Sequence, residues 1–409
     1  MNFKNEITYL FEKKSTIVAI FLITILGLII YANSLTGQFI WDDEYLVQKN
    51  VLIRNWFTLP RIFTGDVAMG SGEATSYYRP LQIVSYAIDY SLWGLSAAGY
   101  HFINILLHIL VVLSIYSLIF ILFSNRFLSL LTALLFTSHP IHTEAVAFIS
   151  SRSDLLATLF ILLSLILYIQ QLRHYSLTKH LLLMLCYTAA LSSKETAIIL
   201  PALLVVYHYI FKKKIRPVEF ISILLLACVY IILRMTVLRA LLFNAPYSTN
   251  VLQRLPGFFV AISNYVRLLC LPFGLHMEYG SQLFKPLAPK VITGAIITIL
   301  SLGYAWRKRN ANNLISFSIL WFFVALLPFS NIYFINAYMA EHWLYLPSIG
   351  FFLLLAYGLC TLLKTKRFKV AAATATAGLI IFYSCLTIMQ NNYWKEPLFF
   401  YERTLRFAP

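Results

Sequence analysis

Charged side chains are scarce in this sequence. Asp, Glu, Lys and Arg make up 12% of the 409 residues, whereas apolar residues make up 60%. A soluble globular domain carries about 25% charged residues. The mean hydropathy is +0.76, and runs of about 20 apolar residues, long enough to cross a bilayer as helices, recur along the chain. The composition excludes a soluble core fold and predicts an all-α polytopic membrane protein.

Cysteine is also rare, and no two cysteines are close in sequence. The five lie singly inside apolar segments, at Cys186, Cys228, Cys270, Cys360 and Cys385. Without a CxxC pair or a Cys/His spacing, neither a disulfide framework nor a zinc site is indicated. We interpret these thiols as small apolar packing groups.

The net charge of +16 reflects a shortage of acidic residues rather than a nucleic-acid site. Lys and Arg occur mostly in short clusters between apolar runs, for example at residues 212–214 and 307–309. Such clusters are typical of the cytoplasmic loops of membrane proteins, where positive charge sets the orientation. We therefore expect no nucleic-acid partner.

The first apolar run, residues 15–35, predicts a retained transmembrane helix. It is too long for a signal-peptide core and ends without a small-residue cleavage site. Lysines precede it, so the N-terminus is expected in the cytoplasm and the long loop 36–98 outside. Within this loop, residues 79–95 are amphipathic and predict an interfacial helix. Further crossings are predicted at 99–123, 127–138, 153–171, 180–193, 196–211, 218–238, 289–306, 314–330, 343–363 and 370–389.

One apolar stretch, residues 256–275, does not fit a simple crossing. It contains Asn264 and Arg267, and counting it as a span would move the basic cluster 307–309 to the outside. It is therefore predicted to be re-entrant or interfacial. The result is about 11 crossings in a transmembrane domain 1–390, followed by an external tail 391–409.

The acidic residues are unevenly distributed in this topology. Only Glu6, Glu12 and Glu219 fall on the cytoplasmic side, and all the others fall outside or at outer helix ends. Because acidic residues contribute little to membrane orientation, their accumulation on one face indicates a function there.

An acidic pair, Asp42 and Asp43, follows the first helix almost immediately. Two adjacent carboxylates at a partly desolvated site repel each other, which raises the pKa of one of them and suits it to accept a proton. A solvated acidic loop is the alternative interpretation.

A second group of polar residues surrounds one predicted external turn. His139, His142 and Glu144 precede it, and Arg152 and Asp154 follow it. The histidine and glutamate side chains could bind a metal, form interfacial hydrogen bonds or contact a substrate. Pro140 breaks helical continuity, and the spacing is not that of an HExxH zinc motif, so no metal is indicated.

Three more polar positions lie at outer helix ends. Lys194 and Glu195 separate two apolar helices without room for a soluble loop, so they are expected to face a polar cavity or each other. Glu341 and His342 open another span, and Arg79 lies in the first loop. A cavity with carboxylates and cations at this depth would suit a lipid-linked substrate whose phosphate meets Arg or Lys.

Seven short motifs, in order, resemble the membrane portion of the transmembrane and tetratricopeptide repeat-containing O-mannosyltransferases. They are FIWDD at 39–43, YRPL at 78–81, GYHFINILLH at 99–108, HPIHTEAV at 139–146, RSDLL at 152–156, SKE at 193–195 and EHWLYLPSIG at 341–350. The resemblance implies the GT-C fold of glycosyltransferases that use polyprenyl-phosphate sugars.

The resemblance also implies a reaction and roles for the residues. A sugar, mannose in the relatives, would pass from a polyprenyl or dolichyl phosphate to a hydroxyl acceptor with inversion. Asp42 would be the general base, supported by Asp43. Arg152, then Arg79 and Lys194, would stabilise the phosphate, and no general acid is required.

Two features depart from that family. Many relatives have Arg directly after the glutamate of the last motif, where this sequence has His342. The family also carries 34-residue repeats after the last helix, of which residues 391–409 resemble at most the first helix.

The expected location is a prokaryotic plasma membrane, or the endoplasmic reticulum in a eukaryote. The alternatives to protein glycosylation are transfer to a lipid or cell-wall glycan and transport of lipid-linked sugars.

Overall fold

The computed structural model describes residues 3–73, 75–236, 250–332, 335 and 337–407. Within these residues all regular secondary structure is helical. The helices are α1 (Phe3–Tyr31), α2 (Leu59–Ile62), α3 (Pro80–Trp93), α4 (Ala97–Phe123), α5 (Arg126–Ser138), α6 (Thr143–Ala147), α7 (Arg152–Arg173), α8 (Leu177–Ser193), α9 (Leu200–Phe211), α10 (Pro217–Met235), α11 (Val251–Cys270), α12 (Pro289–Lys308), α13 (Asn313–Leu326), α14 (Ser348–Lys364), α15 (Lys369–Asn391) and α16 (Pro397–Phe407).

Local sequence explains several helix ends. The side chains of Asn125, Asn250 and Asn312 each accept a hydrogen bond from a backbone N–H in the first turn of α5, α11 and α13. These bonds satisfy donors that a helix start leaves unpaired. Ser124 and Lys212 adopt left-handed backbone conformations at the ends of α4 and α9, which stops the helix.

The helices agree with a multi-pass membrane protein. Six segments of the described chain are long and apolar enough to cross a membrane: Ser15–Thr36, Ala97–Phe123, Ile149–Arg173, Pro217–Met235, Pro289–Lys308 and Lys366–Trp394. The shorter apolar helices are Arg126–Ser138, Glu195–Phe211, Asn313–Phe329 and Ser348–Lys364. The total of about 11 crossings stays a prediction, and the last two residues of the predicted span 218–238 lie outside the described residues.

Two further predictions correspond to helices. The stretch 256–275 lies mostly within α11, and the amphipathic segment 79–95 forms α3. Whether α11 is re-entrant and whether α3 lies in the interface stay predictions.

Helices α4 and α7 form the centre of the bundle. In their most apolar windows, 56% and 67% of the residues are buried, compared with 17% in α10 and in α12. A helix that is apolar all round and largely exposed is suited to face lipid. The bundle therefore has a protein-buried centre around α4 and α7, with α10 and α12 at the periphery.

Glycine allows two helix pairs to approach closely. A Cβ at Gly350 of α14 would collide with the backbone of Ser318 in α13, and one at Gly294 of α12 would collide with Phe259 in α11. Without water to drive helix association in lipid, such small-residue contacts are a main source of packing energy.

The connections that were predicted to lie outside meet at one end of the bundle. The first loop (residues 36–98) contacts the connections 139–151 and 194–199, and the segment 271–288 contacts the segment 327–347. The first loop also packs into a separate apolar core, which includes its residues Leu52, Ile83 and Tyr86 together with Tyr100 of α4. This end of the bundle carries most of the predicted site residues.

Candidate functional site

A cavity of about 610 Å³ lies where these connections meet. Its walls come from the first loop, the start of α7, the connection between α8 and α9, the end of α10 and the segment 327–347. Six of the eleven predicted site residues line it: Asp42, Arg79, Glu144, Lys194, Glu195 and His342. The other five lie outside the cavity lining.

The adjacent carboxylates Asp42 and Asp43 point in different directions. Asp42 lines the cavity, whereas Asp43 is fully buried. Trp41, directly before them, has a left-handed backbone with φ of 50°. The next residues form a tight helical turn in which the amides of Tyr45 and Leu46 donate to the carbonyl of Asp42. The pair thus divides into one residue that faces the cavity and one that faces the protein.

Asp43 ties the first loop to the connection 139–151. Its Oδ1 accepts hydrogen bonds from the backbone N–H of Ser150 at 2.8 Å and from the hydroxyl at 2.5 Å, and its Oδ2 accepts from the N–H of Ile40 at 3.0 Å. Burial raises the pKa of Asp43 to about 7, against the effect of these donors. Asp43 therefore joins the first loop to the connection 139–151 and does not line the cavity.

Burial and nearby polar groups act on the pKa of Asp42 in opposite directions. Burial raises its pKa, while the charges of Arg79 and His342 and a hydrogen bond from the Trp41 side chain oppose that rise. Opposite charges and donors favour a carboxylate over a carboxylic acid. This arrangement provides an available proton acceptor in a cavity with nearby positive charge.

Two cations at the cavity wall are paired with acids. The guanidinium of Arg79 donates from Nε and Nη2 to the two carboxylate oxygens of Glu195, at 3.2 and 2.8 Å. Lys194 Nζ lies 2.7 Å from both oxygens of Asp154. Burial alone would lower the pKa of Arg79, but Glu195 raises it above the ordinary value. Lys194 and Glu195 therefore pair with partners from other segments and not with each other.

Arg234, at the end of α10, adds a third cation to the cavity. Its Nη2 donates to the carbonyl of Ser76 at 3.0 Å, and its charge acts on Glu195. The sequence alone gave Arg234 no priority over the other arginines near helix ends. The described chain thus has Arg79, Lys194 and Arg234 on one side of the cavity.

Arg152 does not contact the cavity, contrary to its predicted phosphate-binding role. Its side chain is fully buried and forms an ion pair with Asp89 at 2.6 Å. Its Nε donates to Asn104 Oδ1 at 2.7 Å and its Nη2 to the carbonyl of Tyr100 at 2.9 Å. The guanidinium also lies over the ring of Tyr86. These partners neutralise the charge of Arg152 and accept hydrogen bonds from its guanidinium. In this structure Arg152 therefore connects the first loop to α4 and α7.

His139 and His142 are likewise buried away from the cavity. His139 Nδ1 accepts from the N–H of Ile141, and its Nε2 lies 3.2 Å from the carbonyl of Leu269. His142 lies between the carbonyl of Phe136 and the hydroxyl of Ser348. Of the three predicted possibilities for these histidines, the geometry corresponds to hydrogen bonding within the protein.

His342 is held by Glu144. The buried carboxylate of Glu144 accepts from the backbone N–H of His342 at 2.9 Å and lies 2.7 Å from its Nδ1. Two bonds from one carboxylate fix both the backbone and the ring, and they require Nδ1 to carry a proton. His342 also lines the cavity.

Glu341 is buried directly behind this pair. Its Oε1 accepts from the N–H of His276 and the hydroxyl of Tyr279, both at 2.6 Å, while Oε2 has no hydrogen-bond partner. Burial and the negative charge of Glu144 raise the pKa of Glu341. Tyr279 lines the cavity. No sequence motif pointed to the segment 271–288 that provides His276 and Tyr279.

Metal binding has no support in the part of the chain that the structure describes. No group of three or more His, Cys, Asp and Glu side chains is arranged there to hold a metal ion. The five cysteines are free thiols.

Comparison with known proteins identifies similar sequences. No model of a known protein family matches the chain. The chain is 29% identical over 94% of its length to Protein O-mannosyl-transferase F38B6.6 of Caenorhabditis elegans, and 28% identical over the same share to Protein O-mannosyl-transferase TMTC2 of Homo sapiens. It spans only 57% and 58% of the lengths of these relatives.

A solved structure has a similar fold. ArnT from Cupriavidus metallidurans, bound to undecaprenyl phosphate, matches 94% of this chain and 77% of its own length with a TM-score of 0.52 and 13% sequence identity. This likeness concerns the fold. The chain therefore has an ArnT-like GT-C fold and, in sequence, resembles the membrane portion of the transmembrane and tetratricopeptide repeat-containing O-mannosyltransferases.

Proposed function

We propose that this chain is a glycosyltransferase that moves a sugar from a polyprenyl-phosphate donor to a hydroxyl acceptor. The observation that carries the proposal is Asp42, a carboxylate at a cavity wall next to Arg79 and His342. A base beside cations is what transfer from a phosphate leaving group requires. The relatives named O-mannosyl-transferases support the reaction class.

The proposed donor is a lipid phosphate carrying a hexose, with mannose as the first candidate. Its phosphate would bind at Arg79, Arg234 and Lys194, whose charges lie on one side of the cavity. Charge-assisted hydrogen bonds from guanidinium groups are well suited to phosphate. ArnT with bound undecaprenyl phosphate has the same fold, which supports a lipid-linked donor without identifying it.

The proposed reaction is a single displacement with inversion. The acceptor oxygen forms a bond to the anomeric carbon while the bond from that carbon to the phosphate oxygen breaks. Asp42 takes the hydroxyl proton, and the electron pair of the broken bond leaves on the polyprenyl phosphate. Arg79 and its neighbouring cations stabilise the resulting charge, so no acid is needed to protonate the leaving group.

The proposed acceptor is a Ser or Thr hydroxyl of a protein. The names of the curated relatives specify protein O-mannosyl transfer, and this is the support for a protein over a lipid or cell-wall glycan. The proposed setting is a multi-pass membrane protein with the cavity on the outer face.

The test uses the purified chain in proteoliposomes with labelled dolichyl- or undecaprenyl-phosphate mannose and a mixture of protein and lipid acceptors. We expect label to move to a protein hydroxyl. Label in a lipid or glycan product would correct the acceptor and keep the reaction class. Movement of the labelled donor across the bilayer without a covalent product would instead identify a transporter.

Replacement of Arg79 by Gln should weaken donor binding. Loss of charge-assisted hydrogen bonds worth about 1.5–3 kcal/mol should raise KM for the donor about 10- to 100-fold. The same change leaves Glu195 without its partner, which would destabilise the fold. The double variant Arg79→Gln with Glu195→Gln removes that unpaired charge. Its donor KM should stay high while its thermal stability recovers, and a normal KM in the double variant would contradict the phosphate role.

A further inference from the structure

The chain after α15 returns to the first loop and is bonded to it. The amide of Gln38 donates to the carbonyl of Lys395 at 2.8 Å. The side chain of Asn391 donates to Asn33 Oδ1 at 2.8 Å, and Asn33 in turn donates to Asn392 Oδ1 at 3.2 Å. The segment 392–407 is thus joined by backbone and side-chain bonds to the residues just before the acidic pair.

Apolar contacts extend this connection to the residues beside Asp42. Trp394 and Phe400 are buried in a small core with Ile40 and Phe148. The ring of Trp41 packs against this core and lies 5.7 Å from the ring of Phe400. A second ring of α16, that of Tyr401, lies 6.0 Å from Trp41. Trp41 therefore has α16 as its packing partner.

Trp41 has a backbone conformation that needs such support. Its φ of 50° lies in the left-handed region, which is costly for a bulky side chain. Strained conformations of this kind persist only where surrounding contacts hold them, and they cluster at functional sites. Trp41 comes directly before two carboxylates that point in different directions: Asp42 lines the cavity and Asp43 is buried in the protein.

We propose that Trp41 is a positioning residue for Asp42 and that α16 keeps it in place, so that the C-terminal segment is part of the site. The proposal rests on the proposed role of Asp42 as the base. Trp41 acts in two ways: its backbone sets the direction of the loop, and its side chain favours the charged form of the Asp42 carboxylate. The indole N–H is the donor group of the Trp41 side chain.

The same helix also contacts the opposite side of the site. The ring of Phe407 stacks on that of His276 at 4.5 Å, and Arg403 Nε donates to the carbonyl of Leu275 at 2.9 Å. His276 donates its N–H to Glu341, next to Glu144 and His342. Helix α16 therefore connects the Asp42 loop with the segment that supports Glu341.

The Trp41→Phe variant separates the effect of the indole N–H from that of the packing. The ring stays against α16, but the N–H is lost. The variant leaves unchanged the other ionisable groups that interact electrostatically with Asp42, which are Arg79, His342, Asp43 and Tyr77. Loss of a donor to the charged form raises the pKa of a carboxylate. Because the base must be ionised, the acid limb of the pH profile of kcat/KM should move upward by about one pH unit.

Trp394→Phe is the matched control. Trp394 belongs to the same small core and contacts Phe148 and Phe400, but Asp42 has no hydrogen bond from it. The control should leave the acid limb where it is in the unchanged protein. An unmoved limb in Trp41→Phe, or an equal movement in both variants, would overturn the positioning role of the indole.

A second measurement tests α16 without relying on activity. The amides of Asp43, Glu44 and Tyr45 donate to carbonyls of residues 40–42, and their hydrogen exchange reports the order of the loop. Phe400→Ala in the full chain should speed their exchange at least about tenfold relative to amides in α7. Equal protection would overturn the role of α16. If the unchanged protein transfers no sugar, the proposed function fails, while the exchange result still decides whether α16 holds the loop.

Discussion

Replacement of Asp42 by Asn should reduce kcat by about 10²- to 10⁴-fold, which is the usual contribution of a general base. Asn has nearly the same size, so the loop should keep its conformation. It cannot accept the acceptor proton, however, and it removes the negative charge beside Arg79 and His342. Donor binding should therefore be retained or improved while turnover is lost. Initial rates with a labelled polyprenyl-phosphate sugar measure both parameters.

Glu73→Gln is a matched control for this prediction. Glu73 lines the same cavity but is exposed, and the mechanism gives it no role. Its loss should leave kcat within about twofold, as expected for a surface change. If Asp42→Asn keeps full activity, or if both variants lose activity equally, Asp42 is not the base.

Replacement of Arg152 by Met should destabilise the fold strongly. Arg152 and Asp89 form an ion pair in which both side chains are almost completely buried. Removal of one member of such a pair leaves an uncompensated buried charge and costs about 3–5 kcal/mol. The Oδ1 of Asn104 would lose the donor that Arg152 provides. We expect a clearly lower thermal unfolding midpoint in detergent, with an unchanged donor KM in the molecules that remain folded.

The double variant Arg152→Met with Asp89→Asn tests the cause of that effect. It removes the unpaired charge and should recover part of the lost midpoint. If Arg152 bound the donor phosphate, the single variant would instead raise KM about as much as Arg79→Gln, without a comparable loss of stability. Loss of Arg79 should therefore raise the donor KM, whereas loss of Arg152 should lower the thermal stability. The difference arises because Arg152 is fully buried and Arg79 lines the cavity.

The acidic pair shows how far sequence reasoning reaches at this site. Its position after an apolar helix indicated a functional carboxylate near the membrane surface. Trp41, directly before the pair, has a left-handed backbone; Asp42 then lines the cavity and Asp43 is buried. No composition or periodicity signal specifies a single φ angle, so the roles of neighbouring residues could be ordered only by resemblance.

Arg152 shows what local sequence context does not report. Arg152 has the sequence context of an accessible cation, yet it is buried in an ion pair with Asp89 and a hydrogen bond to Asn104. Asn104 belongs to the motif at 99–108 and also bonds to the carbonyls of Val146 and Phe148. That motif therefore supports the site from behind rather than contacting the cavity. Local residue spacing cannot predict such contacts because the partners are far apart in the chain.

The sequence by itself determined the membrane as the solvent and the all-helical class, and it predicted which end of the molecule carries the site. Apolar runs of bilayer length require helices because unpaired backbone groups are too costly in lipid, and acids concentrated at alternate connections indicated one functional end. Only the tertiary structure decided which charges are available. A buried cation is neutralised by whichever acid packs against it, so Arg79 faces the cavity with Glu195 while Arg152 is enclosed with Asp89. Which acid pairs with which arginine depends on contacts between segments that are distant in the chain.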